Sequence, residues 1–101
     1  MDLEEARLEG KKLFRNGMSV AEWFNSIEMK CGCHKAHLIL AVAPFEYVAL
    51  SQHTMSTYGK EIMLCLATKI AAGECVHIQD RYFFFTDSVD AAVFKVLWQH
   101  K

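Results

Sequence analysis

Residues 74–98 read ECVHIQDRYFFFTDSVDAAVFKVLW, and the pairing of this stretch decides the fold. Residues 75–79 and 82–86 are short runs rich in strand formers, separated by Asp80 and Arg81. A two-residue loop at Asp80-Arg81 predicts an antiparallel hairpin. Gln79 then lies opposite Tyr82, Ile78 opposite Phe83, His77 opposite Phe84 and Val76 opposite Phe85. That register puts Val76, Ile78, Phe83 and Phe85 on a core face, and Cys75, His77, Gln79, Tyr82 and Phe84 on the other. Asp-Arg is a poor type I′ turn, which weakens the register. Asp87 can cap a following helix, with Asp90 near the positive end of its dipole. That helix carries two apolar stripes: Val89, Val93, Val96 and Leu97, and Phe94 with Trp98. One stripe can pack on the sheet; the other is spare, like Tyr82 and Phe84.

Working outward, residues 2–16 predict a helix with Leu3, Ala6, Gly10, Leu13 and Phe14 on one side. Its acids come first and its bases last, as the helix dipole favours. Asn16-Gly17 ends it. Ser19 and Glu22 have the spacing of a capping box, flanked by Met18 and Trp23 as a hydrophobic staple. A second helix therefore starts there, with Trp23 in the core. Residues 36–43 are an unbroken small and apolar run before Pro44. Periodicity allows a buried strand or a short buried helix, and Pro44 favours the strand. Residues 45–50 read as a strand by the alternation of Phe45 and Tyr47, although Phe45, Val48 and Ala49 would also stripe a helix. Residues 51–57 read as a polar connection. Residues 58–72 predict a helix apolar almost all round, and so buried on more than one side.

The chain has 101 residues, enough for one domain with its own core. Together the elements predict a single α+β domain over residues 1–101. It has a three- to four-stranded antiparallel sheet and about four helices packed mainly on one face. Hydrophobic residues make up 52%, more than so small a domain readily hides. Such an excess marks a contact surface, and a homodimer or another obligate partner is expected. Net charge is −1, with 11 basic and 12 acidic residues mixed along the chain. That balance argues against nonspecific nucleic-acid binding and a polybasic membrane anchor. No apolar run reaches the ~18 residues of a membrane span. The acidic first residues lack the shape of a signal peptide, so a cytoplasmic protein with reduced thiols is expected.

The one cluster of soft metal ligands is Cys31, Cys33, His34 and His37. Four ligands could close a zinc site, but common sites hold ligand pairs far apart in sequence. The bland reading is two thiols and two imidazoles in a loop. Cys75 with His77, or Cys33 with His37, could pair a nucleophile and a base. Neither comes with a recognisable orienting group or oxyanion hole. A phosphate loop, a nucleophile elbow and paired carboxylates in an apolar setting are missing from the sequence. A non-enzymatic chain without a cofactor is expected. The strand face with His77, Tyr82 and Phe84 has the makings of a stacking platform for single strands. Only Arg81 supplies charge beside it.

The tail from Arg81 to Trp98 resembles the endings of small uncharacterised proteins of tailed bacteriophages. It shares their aromatic strand, acidic turn and closing helix, here with Asp90, Ala91, Phe94, Lys95 and Trp98. The resemblance covers about a fifth of the chain and brings no active-site residues. It implies a protein that binds a host protein, for example an anti-CRISPR-type inhibitor of a defence effector acting in the host cytoplasm. The expected function is thus a non-enzymatic protein-binding module that occludes a partner's surface. Tyr82, Phe84, His77, Phe94 and Trp98 are its expected contact residues. The alternative is a small metal- or nucleic-acid-binding regulator.

Overall fold

The computed structural model describes residues 3–15, 17–31, 39, 41–78 and 81–100. In chain order these form α1 (Leu3–Leu13), α2 (Val20–Cys31), β1 (Glu46–Ala49) and α3 (Gln52–Lys69). They are followed by β2 (Cys75–Ile78), β3 (Tyr82–Phe85) and α4 (Ser88–Trp98). The three strands make one antiparallel sheet in the order β1-β3-β2. The radius of gyration is 13.7 Å, close to the ~13 Å of a folded chain this long. The expected single-domain α+β architecture with an antiparallel sheet is what forms.

Local chemistry sets the element starts. Ser19 caps α2, accepting a hydrogen bond from the Glu22 amide at 3.2 Å. Met18 and Trp23 on either side of the cap are both buried, as a staple requires. The next two amides of α2 reach the far end of the chain. Val20 N–H donates to the Thr86 hydroxyl at 2.8 Å and Ala21 N–H to the Gly73 carbonyl at 3.2 Å. The orphan donors of a helix start thus tie α2 to the β2–β3 hairpin. Ser51 caps α3 by accepting from Thr54 N–H at 3.1 Å. The stretch expected to be a polar connection is therefore the first turns of that helix. Asp87 caps α4 through Val89 N–H at 2.8 Å.

β3 is the central strand, and its sequence Tyr-Phe-Phe-Phe is apolar on both sides. Phe83, Phe84 and Phe85 are all buried, so both sheet faces need a cover. On one face Phe84 packs with Trp23, Phe24 and Ile27 of α2 and Ala6 of α1. On the other, Phe83 and Phe85 pack with Val48, Ile62 of α3, and Ala91 and Phe94 of α4. The helices are therefore shared between two faces rather than stacked mainly on one. α1 approaches α2 closely because Gly10 has no side chain. A Cβ there would lie 3.0 Å from the Trp23 ring, whose indole N–H donates to the Gly10 carbonyl at 2.9 Å.

Two further expectations change. β2 and β3 pair one residue out of the expected register: Ile78 with Tyr82, His77 with Phe83, Val76 with Phe84 and Cys75 with Phe85. The connection is three residues rather than two. Arg81 does not suit the positive φ that a type I′ turn needs at its second central position, and a central strand apolar on both faces does not enforce one register. The faces of β2 are thereby exchanged: Val76 and Ile78 join Phe84, while Cys75 and His77 join Phe83 and Phe85. Second, Ile39, Ala41 and Val42 are helical, closed by a bond from Ala43 N–H to the Ile39 carbonyl at 2.9 Å. At these described residues the chain is helical rather than the expected strand, and residues 36–38 and 40 of that run lie outside the described residues. Ile39 and Val42 cap the core beside Phe84.

Candidate interaction surface

The expected contact residues do not share a surface. Phe84 is wholly buried under α2, 5.0 Å from Phe24 centroid to centroid. Phe94 is buried on the opposite side of the sheet, 4.9 Å from Phe83 and 5.2 Å from Phe85. Both belong to the core, as a central strand and its covering helix require. Trp98 is half-buried against Tyr58 of α3, at 6.1 Å. His77 is exposed, but on the α3–α4 side, where its ring stacks flat on Phe83 at 4.3 Å. Tyr82 is half-buried on the α1–α2 side.

Beside Tyr82 lies a residue that sequence reading passed over. Tyr47 of β1 is 53% exposed. Its ring lies 6.0 Å from Tyr82 and 5.3 Å from Phe84. The β1–β3 register, with Tyr47 opposite Phe84 and Ala49 opposite Tyr82, puts the two tyrosines on one face. The Arg81 guanidinium stands 5.3 Å over the Tyr82 ring. Its Nε is buried and has no hydrogen-bond partner among the described residues. The alternation of Phe45 and Tyr47 marked the strand, but neighbouring strands decide which tyrosine is wet.

The second outward feature is on α4. With Ala91 and Phe94 turned inward, Val89, Val93 and Val96 are 64%, 54% and 76% exposed. The two stripes of this helix are used the opposite way round from a valine core and spare aromatics. A cavity of about 160 Å³ runs along the seam with α3, lined by Cys65, Lys69, Ile70, Asp90, Val93, Phe94 and Leu97. α3 itself is a surface helix: Met63 and Leu64 are 47% and 64% exposed, so it is not enclosed on several sides.

Comparison with protein-family models, curated proteins and solved structures found no match.

The chemistry within reach is limited. Burial, and then the Asp90 carboxylate, push the Cys75 thiol from 9.0 up to about 12. It stays protonated near neutrality, so Cys75 with His77 makes no thiolate nucleophile. No three His, Cys, Asp or Glu side chains group around a metal position among the described residues. Cys33, His34 and His37 lie outside them, and Cys31 is placed only as the last residue of α2. No helix among the described residues is long and apolar enough to cross a membrane.

Proposed function

We propose that this chain is a non-enzymatic protein-binding module that acts by covering part of a partner's surface. The observation that carries the reading is the exposed Tyr47 tilted beside Tyr82, with Arg81 over the Tyr82 ring, at the β1–β3 side of the sheet. Tyrosine and arginine are the residue types in which binding energy concentrates. Here the sheet holds the two tyrosines side by side, which lowers the ordering they must lose on association. Arg81, over the Tyr82 ring, brings a positive charge that suits a carboxylate on the partner. Of the residues expected from sequence, Tyr82 keeps its place in this surface. Phe84 serves as the floor under it, and Phe94 is part of the core.

The resemblance of residues 81–98 to phage proteins is the support for a host or defence protein as the partner. It is also the support for inhibition in the host cytoplasm as the outcome. Ala91 and Phe94 of that shared pattern are core residues here, so what the resemblance shares is packing. The test is affinity capture from a bacterial lysate with the wild-type chain and with Tyr47→Ala. The expected result is a protein retained by the first and lost from the second, with unchanged thermal unfolding. Equal capture by both would overturn the site. Binding of a labelled single strand at low salt, lost in Tyr47→Ala, would move the reading to nucleic acid.

A further inference from the structure

The cavity in the seam between α3 and α4 lies across the sheet from the Tyr47 surface. Its volume is about 160 Å³, and Ile70, Val93, Phe94 and Leu97 give it apolar walls. An apolar cavity of ~150 Å³ takes up a molecule the size of benzene. The seam therefore has room for a leucine or phenylalanine side chain. The two helices run antiparallel along it. Tyr58, in the second turn of α3, meets Trp98, the last residue of α4. At the opposite end, Lys69 closes α3 and Asp90 sits in the first turn of α4, and both line the cavity. A positive and a negative side chain thus stand together at one end of a recess that is otherwise apolar apart from the Cys65 thiol. They are not paired with each other, and neither side chain has another ion-pair or hydrogen-bond partner among the described residues. Cys75, whose thiol Asp90 helps to keep protonated, gives Asp90 no positive charge.

We propose that this seam binds a free α-amino acid with a side chain the size of leucine or phenylalanine. The ammonium group lies against Asp90, the carboxylate against Lys69, and the side chain runs between Val93, Phe94 and Leu97. The charge pattern selects the zwitterion. A carboxylic acid with the same tail brings its anion beside Asp90, and an amine brings its cation beside Lys69. An α-amino acid carries both charges on one carbon and meets both side chains through charge-assisted hydrogen bonds. Glycine meets the charges and leaves the apolar walls to water, so the side chain adds affinity by the area it buries. Lys69 is exposed, and its long stem can follow the carboxylate.

The experiment titrates L-leucine and L-phenylalanine into the isotope-labelled chain and follows two-dimensional amide spectra. At least one of the two should give saturable shifts at Cys65, Ile70, Val93 and Leu97 by ~10 mM, enough to fill a site with a Kd near ~1 mM. Isovalerate and isoamylamine carry the leucine side chain with one charge each, and hydrocinnamate and phenethylamine do the same for phenylalanine. Each single-charge analogue should bind ~10-fold or more weakly than its amino acid. Asp90→Asn and Lys69→Gln should each weaken the amino acid by a similar factor, with dispersed spectra showing that both variants fold. The bound amino acid should also slow alkylation of Cys65 in the wild-type chain. An absence of saturable shifts at those residues with either amino acid overturns the proposal. So does a single-charge analogue that binds as well as its amino acid, or amino-acid binding indifferent to either substitution. Each of those results leaves the Tyr47 surface untouched, since loss of capture in Tyr47→Ala is read separately.

Discussion

α2 and α4 do the same work on opposite faces of the sheet and finish differently. Each turns its rings inward, Trp23 and Phe24 on α2 and Phe94 on α4, against the phenylalanines of β3. Outside, α2 presents Glu22, Asn25 and Glu28, with Met29 the large apolar exception. α4 presents Val89, Ala92, Val93 and Val96. A helix polar outside is complete as a surface element; one that is apolar on both sides leaves apolar area facing water. Which stripe of α4 faces in was not a matter of hydrophobicity, since both qualify. Phe94 fills the space between the Phe83 and Phe85 rings, and three valines cannot match that area.

The sharpest test of the comparison sets the inner stripes against the outer one. Phe94→Ala and Phe84→Ala should each lower unfolding free energy by ~3–5 kcal/mol, because each leaves a cavity in a close-packed layer. Denaturant titration with an unchanged slope measures this. A loss below ~1 kcal/mol at either site would mean that the ring is not core, and that the two helices are not equivalent inside.

A smaller effect separates the two helix starts. Ser19→Ala removes the cap of α2 and Asp87→Ala that of α4, each costing ~1 kcal/mol. The α2 figure should be the lower, because Val20 N–H and Ala21 N–H are also held by Thr86 and Gly73. Equal losses in thermal melts would say that those long-range bonds do not support the helix start.

Those long-range bonds also mark where sequence reading stops. The caps at Ser19 and Asp87, the staple of Met18 and Trp23, and the strand containing Tyr47 are local patterns, and they were legible. The fold class followed from them. The hairpin register was not, because Tyr82, Phe83, Phe84 and Phe85 offer no polar side to prefer. The helical residues Ile39, Ala41 and Val42 defeated periodicity, since a short apolar run suits strand and helix alike. Of the proposed surface, Tyr82 was among the expected contact residues, Arg81 was noted only as the charge beside it, and Tyr47 was hidden. Exposure of a strand residue depends on what the opposite layer covers, and that is a tertiary fact.

A still smaller contrast concerns pH on the α4 side. The Cys75 thiol is raised to about 12 in the folded chain from 9.0. Below pH 9 both states are protonated and the full stability is present. From pH 9 to 12 the unfolded thiol ionises while the folded one does not, so stability falls as pH rises. Cys75→Ala should lack this component, and the difference between the two alkaline unfolding curves isolates it from lysine and tyrosine titration. Parallel curves would place Cys75 in water. Cys65 is the internal comparison for alkylation, and Cys75 should react the more slowly at pH 8.

The smallest expected change is the most telling for α4. Val96 is 76% exposed, so Val96→Gln removes almost no packing within one chain. Glutamine is also the better helix former, by a few tenths of a kcal/mol. In a dilute monomer the variant should unfold within ~0.5 kcal/mol of wild type. Thermal melts of the two proteins at one low concentration check this. A dilute-state loss of several kcal/mol would instead make Val96 a core residue. The outer face of α4 would then be as finished as that of α2.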